Sequence, residues 1–306
     1  MIKGINLYDL HQLGRFGVPI FLCVSGALLL GRKDYDFLDF LKRRLNRICY
    51  PLIFFIIIAY VFNIYDNPLT AFWYCWMILG VYLTIPFINK IILNSTIREM
   101  EYFLLLCIIT SIFYQIMKEA GIWFSLDLNF FISPITYLIL GYYLSKKEFN
   151  CSSNLIIVLC IIGFLVSSIL KMNSGNCFGI YPKISVMYSS LDFSILQILQ
   201  CCSVFLFFRF IYSDVSGIFA SIKNILERNP VSAFIESVSR SSYGIYLVHM
   251  LFVIEWIRPF PKNVILTNKE TAAFCFMSFV FLFIVSWIIV LILSKIPYLN
   301  KVSGYA

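Results

Sequence analysis

Few residues in this chain could do chemistry, and most of them sit inside apolar runs. His249 lies in SSYGIYLVHM, with Ser242 and Tyr246 before it. Those three follow i, i+4, i+7 spacing, so one face of a helix there is polar. An ionisable group inside a membrane span is a functional candidate by default, and a histidine satisfied by a neighbouring helix is the plain alternative. Arg15 opens RFGVPIFLCVSGALLL. It could hold a carbonyl oxygen or an anionic substrate in an internal cavity, or it could snorkel to the headgroups as an anchor. Ser25 and Gly26 form a small polar notch ten residues further on, roughly 15 Å along a helix axis. Such a notch suits either substrate contact or close helix packing.

The segment GRKDYDFLDFLKRRLNR follows at once. Arg43, Arg44 and Arg47 could clamp the phosphates of a cytosolic donor, because guanidinium forks match phosphate oxygens. Retention of positive charge on the cytoplasmic side explains the same residues. Trp73, Tyr74, Trp76 and Tyr82 cluster in FWYCWMILGVYLTIPF. An interfacial aromatic belt accounts for Trp73 and Tyr74, whereas Trp76 and Tyr82 sit deeper and could line a pocket or stack on a sugar.

Membrane helices must position these groups. Hydrophobic residues make up 60% of the 306 and charged ones only 13%, against roughly 25% charged in soluble domains. Mean hydropathy is +0.86. The net charge of +8 lies in alternate loops, which argues for topology and against a nucleic-acid partner. Ten cysteines are present with two histidines and no CxxC; structural zinc and other metal sites are not expected. Walker A, dinucleotide-binding glycine, HExxH and GxSxG patterns are absent.

A span needs about 20 mostly apolar residues. That ruler gives about nine: Leu13–Gly31, Ile48–Ile64, Ala71–Leu93, Tyr102–Met117, Asn129–Leu144, Leu155–Lys171, Leu191–Tyr212, Ser242–Trp256 and Ala272–Leu293. The expected fold is an all-α, polytopic membrane helix bundle forming one domain over residues 1–306. Pro19 is expected to kink the first span. Residues 215–228 repeat apolar positions at helical spacing and read as an interfacial helix ended by Asn229-Pro230. Lysines and arginines are denser in the loops after the first, third, fifth and seventh spans and in the tail. This places the Arg32–Arg47 loop and the C-terminus in the cytoplasm and the N-terminus outside. A further helix upstream would put both ends inside, so the charge pattern suggests a missing first span.

Five stretches, in order, resemble the acyltransferase-3 family of bacterial membrane proteins: RFGVPIFLCVSGALLL, FLKRRLNRICYP, WYCWMILGVYLTIPFINKII, YLILGYYLSK and SYGIYLVHMLF. The third is similar to the enterobacterial-common-antigen O-acetyltransferase branch. The resemblance implies about ten spans and transfer of an acyl group from cytosolic acyl-CoA, acetyl-CoA first among candidates, to a hydroxyl of an envelope glycan. It implies no bound cofactor, residence in the inner membrane, and three partners: the bilayer, acyl-CoA and the glycan. Arg15, Ser25 and Gly26 would belong to the acyl-transfer cavity, and Arg43, Arg44 and Arg47 would lie near the donor phosphates. Trp76 and Tyr82 are the aromatic candidates for substrate contact. Tyr246 and His249 would line the opposite wall. The family's first helix, with an Arg-rich lead and a histidine thought to be the general base, has no counterpart here; His11 does not replace it. On that reading the base is expected upstream in preference to His249. The alternatives are a non-enzymatic protein assisting exopolysaccharide export or assembly, and an inactive truncated acyltransferase.

Overall fold

The computed structural model describes residues 14–33, 36–119, 122, 133–177, 194–257 and 268–305. Eleven α-helices are present among them: α1 Gly17–Leu29, α2 Phe37–Val61, α3 Pro68–Ala71, α4 Trp73–Asn94, α5 Ile97–Glu119, α6 Pro134–Lys146, α7 Ser153–Cys177, α8 Ile195–Ile211, α9 Ile218–Glu227, α10 Asn229–Ile257 and α11 Asn268–Lys295, with a 3-10 turn at Leu299–Lys301. No strand occurs among the described residues. Segments Phe37–Val61, Trp73–Asn94, Ser153–Lys171 and Phe276–Lys295 are long and apolar enough to cross a membrane; α1 and α8 are shorter apolar helices. Leu28, Ile57, Phe87, Ile109, Leu165, Phe276 and Phe279 are exposed on helix outer faces, as hydrocarbon-facing side chains must be. The chain is an all-α membrane bundle.

Local chemistry starts the helices. Asp36 caps α2, its carboxylate accepting from Leu38 N at 2.8 Å. Thr96 and Glu99 form a capping box at the start of α5: Thr96 N donates to Glu99 Oε2 at 2.6 Å, and Glu99 N donates to Thr96 Oγ1 at 3.3 Å. Both devices satisfy first-turn amides that have no intrahelical partner. Residues Phe37–Arg47, ahead of the expected second span, are continuous with it as the first turns of the 25-residue α2.

Two expectations are corrected. Pro19 sits in the first turn of α1, where its missing N–H removes no intrahelical bond, so no kink is required. The span expected at Ser242–Trp256 lies inside a longer helix, α10, that begins at Asn229 and runs 29 residues. Its first part carries polar residues that hydropathy discards, including the Glu236–Arg240 i,i+4 pair at 2.5 Å. As expected, the helix over residues 218–227 ends just before Asn229-Pro230: α9 stops at Glu227, and Pro230 falls in the first turn of α10, where proline is tolerated. α9 has no buried residue, in keeping with an interfacial helix. Residues before Gly14, including His11, lie outside the described set, as does the start of the fifth expected span.

The chain divides into two compact units, one from Asp34–Pro86 and Leu226–Ala306, the other from Tyr8–Lys33 and Phe87–Ile225. In the first, α2, α4, α10 and α11 meet on a core of Leu52, Phe55, Ala59, Phe72, Cys75, Leu247, Val248 and Val290. In the second, α1 lies against α6 so closely that a side chain at Gly26 would land in the Leu138 carbonyl. One at Gly141 would land in the Cys23 backbone. Two glycines thus let two backbones touch, as small residues do at membrane helix crossings. Cys23 Sγ lies 3.3 Å from Cys201 Sγ, joining α8 to the same core.

Candidate active site

Within the first unit, the start of α4 and the middle of α10 bring three tyrosines and a histidine together, and Tyr65, from the segment after α2, joins them. Tyr74 packs edge-on against Tyr246, ring centroids 5.2 Å apart. Tyr246 lies 5.5 Å from the His249 ring, centroid to centroid. One turn earlier on α10, Tyr243 Oη donates to Ile48 O of α2 at 2.9 Å and lies 3.6 Å from Cys75 Sγ. Tyr65 Oη donates to Met250 O. These contacts anchor the polar face of α10 to α2 and α4 at several levels.

Two atoms in this cluster stand out chemically. His249 Nδ1 is 3.1 Å from Ile245 O. A carbonyl oxygen can only accept, so Nδ1 carries a proton, and in the neutral imidazole Nε2 is then the lone-pair nitrogen. That is the tautomer a general base requires. Tyr246 Oη is buried beside the Tyr74 backbone but meets hydrogen-bond geometry with no described group. Burying a hydroxyl without a partner costs about 1–3 kcal/mol, and the Tyr74 backbone is the group placed to offset it.

Tyr74 was expected in an outer aromatic belt, yet it is half-buried in the cluster. Trp76, expected deeper, is 46% exposed, and its indole Nε1 donates to Leu69 O at 2.8 Å. The helical period explains the exchange. Trp73 and Trp76 are three residues apart and share one face, whereas Tyr74 is turned about 100° from Trp73.

Tyr82 is half-buried and carries the Arg44 guanidinium 5.9 Å above its ring centroid; Arg44 also lies 5.9 Å from the Phe40 centroid. Arg44 is therefore held in a defined place by two aromatic faces. Arg43 is exposed and pairs with Asp39 at 2.6 Å; Arg47 is exposed. The three arginines lie on α2, in the same unit as Tyr246 and His249.

Arg15, Ser25 and Gly26 belong to the second unit. Arg15 is half-buried just before α1, where Phe16 packs edge-on against Phe164, centroids 5.5 Å apart. Ser25 is half-buried, and Gly26 is fully engaged in the crossing with α6. Of the two roles open to the Ser25-Gly26 notch, close packing is the one its surroundings at Gly26 display.

Sequence reading passed over Tyr65, Tyr74, Cys75 and Tyr243 as site neighbours. Tyr243 was within reach, one residue from Ser242 in the quoted motif. The others lie on separate elements, and no spacing rule links them to His249.

The first unit of this all-helical membrane bundle thus sets the His249 imidazole beside the buried Tyr246 phenol, with the Arg44 guanidinium on another helix of the same unit. The chain matches the acyltransferase-3 family, described as an acyltransferase domain, over residues 2–293. It belongs to that family and is a multi-pass membrane acyltransferase in kind. Neither the curated proteins nor the solved structures contain a match to it.

Proposed function

We propose that this protein is an O-acyltransferase of the bacterial inner membrane. It would take an acyl group, acetyl in the first instance, from cytosolic acyl-CoA and pass it to a hydroxyl of an envelope polysaccharide or its precursor. The observation that carries this reading is the family match across residues 2–293. The WYCWMILGVYLTIPFINKII stretch favours the enterobacterial-common-antigen-like branch. The density of Lys and Arg at Arg32–Arg47 and in the tail supports a cytoplasmic C-terminus.

In this mechanism His249 Nε2 takes the proton of the acceptor hydroxyl as its oxygen attacks the thioester carbonyl. The carbonyl oxygen gains negative charge, and the Tyr246 hydroxyl, free of other bonds among the described residues, donates to it. Collapse breaks the C–S bond, and the thiolate of CoA leaves with a proton returned by the imidazolium. Arg44, fixed over Tyr82 and Phe40, would hold a donor phosphate, with Arg43 and Arg47 adding exposed positive charge. Arg15, Ser25 and Trp76 are further candidates, each testable by single substitution.

The test is transfer of labelled acetyl from acetyl-CoA to envelope glycan by membranes containing the protein, compared with His249→Gln. Label in glycan with the parent and its loss in the variant are expected. No transfer from any acyl-CoA of a chain-length series would sink the proposal.

A further inference from the structure

Beyond α11 the chain turns back onto α10, the helix that carries His249. After the 3-10 turn Leu299–Lys301, Ser303 and Gly304 are buried. The segment is shaped by its own bonds. Ser303 Oγ donates to Asn300 O at 2.9 Å, and Tyr305 N donates to Ser303 Oγ at 3.1 Å. Gly304 has φ +72°, a left-handed conformation that residues with a Cβ rarely adopt. A Cβ there would stand 2.7 Å from Gly244 Cα and 2.8 Å from Gly244 N on α10. One at Gly244 would stand 2.3 Å from Ser303 O. Two backbones therefore touch, and a side chain at either glycine would part them.

A contact between two glycines buries little apolar area, so the hydrophobic effect gains little from it. What it fixes is position, and the group beside it is Tyr243. The same Cβ at Gly304 would lie 3.3 Å from Tyr243 Cδ1. At its far end the Tyr243 ring donates its hydroxyl to Ile48 O of α2 at 2.9 Å and faces Cys75 Sγ of α4 at 3.6 Å. The ring thus reaches from the 303–305 segment to α2. Ile48 lies about one turn from Arg44 on α2, and Tyr243 about one turn from Tyr246 on α10. Tyr305 packs against the core that these helices share.

We propose that Gly304 is a positioning residue: it seats residues 303–305 against the Tyr243 ring and so sets how α2 stands against α10. Gly304 touches no reacting group and acts through Tyr243. Its consequence for activity rests on the acyltransferase reading above, in which the Arg44 stretch of α2 holds the donor and α10 carries the base.

The experiment compares the full chain with Gly304→Ala, both purified in detergent. The added methyl meets backbone at Gly244, so residues 303–305 must lift and the Tyr243 ring loses one support. Cys75 is 0% exposed and senses whether the ring keeps its place. Labelling of Cys75 by N-ethylmaleimide, mapped by peptide mass spectrometry, is expected to run about fivefold faster in the variant, since local opening governs reaction of a buried thiol. KM for acyl-CoA should rise about fivefold with kcat little changed. That shift should not grow when Gly304→Ala is added to Tyr243→Phe, because a residue acting through another is non-additive with it. Should Gly304→Ala not fold, Ser303→Ala removes the bonds that shape the segment, adds no bulk, and should move Cys75 labelling and KM the same way. A lowered Tm with Cys75 labelling and KM at parental values would mark ordinary packing and overturn the proposal, as would additive KM shifts. If the parent binds no acyl-CoA, Cys75 labelling still decides the role of Gly304, and the acyltransferase reading fails separately.

Discussion

Removing the hydroxyl of Tyr246 separates two effects. As a buried group without a described partner, it weakens the fold, so Tyr246→Phe should leave stability unchanged or raise it by about 1 kcal/mol. The proposed mechanism needs that hydroxyl at the oxyanion, so acyl transfer should fall about tenfold or more in the same variant. Thermal unfolding and transfer rate, measured side by side, decide it: a rate equal to the parent's removes Tyr246 from catalysis. His249→Gln should cost about 10²–10⁴ in rate, the range for loss of a general base. Arg44→Lys keeps the charge but loses the planar fork lying over Tyr82 and Phe40. It should raise KM for acyl-CoA about tenfold with kcat little changed. At this scale the sequence was informative where residues share one helix. Tyr246 and His249 were legible from spacing alone. Tyr74 and Tyr65 were not, because tertiary packing brought them there.

Helix crossings and helix starts carry their own tests. Gly26→Val and Gly141→Val should each prevent α1 from seating against α6, since the added atoms meet backbone and not a movable side chain. Loss of folded protein in detergent is expected for both, with Ala27→Val, half-buried beside Gly26, as a tolerated control. Near the start of α5, Glu101 accepts from Lys147 Nζ at 2.5 Å and from Tyr143 Oη at 3.0 Å on α6. The hydrogen bond from Lys147 holds the Glu101 carboxyl below the usual carboxylate range; the Thr96 backbone amide does the same for Glu99. A depressed carboxylate stabilises the folded state above its unfolded pKa, and that contribution is lost as pH falls through the folded value. The α5 start and its tie to Lys147 should therefore hold unchanged from neutrality to mild acid and loosen below the ordinary glutamate range. Hydrogen exchange of amides 97–101 against pH reads this, and Glu99→Gln with Glu101→Gln should flatten the acid limb. Element positions were largely legible, because apolar runs of span length have few alternatives. The start of α10 was hidden because Ser232, Glu236 and Arg240 depress hydropathy while leaving helical geometry intact.

The whole molecule offers a natural probe of its orientation. Cys151 is exposed and unpaired, between α6 and α7. The charge pattern puts that loop, with Lys146 and Lys147, in the cytoplasm. A membrane-impermeant maleimide should label Cys151 in inverted vesicles and spare it in intact cells, with Cys151→Ser as control. Labelling in intact cells reverses the assigned topology.

Pro51 lies within α2 and withdraws one backbone hydrogen bond from it. One turn ahead, at Ile48, the Tyr243 hydroxyl grips the backbone. In mechanical terms, α2 is a rod with a joint, and Tyr243 is the pin beside it. Arg43, Arg44 and Arg47 ride on the arm before the joint, and Tyr243 belongs to the helix that carries His249. Tyr243→Phe removes the pin while leaving every proposed reacting group in place. The arm should then swing more freely, and the variant should bind acyl-CoA less tightly at unchanged charge. The angle at which the donor is presented would thus be set by the helix that consumes it.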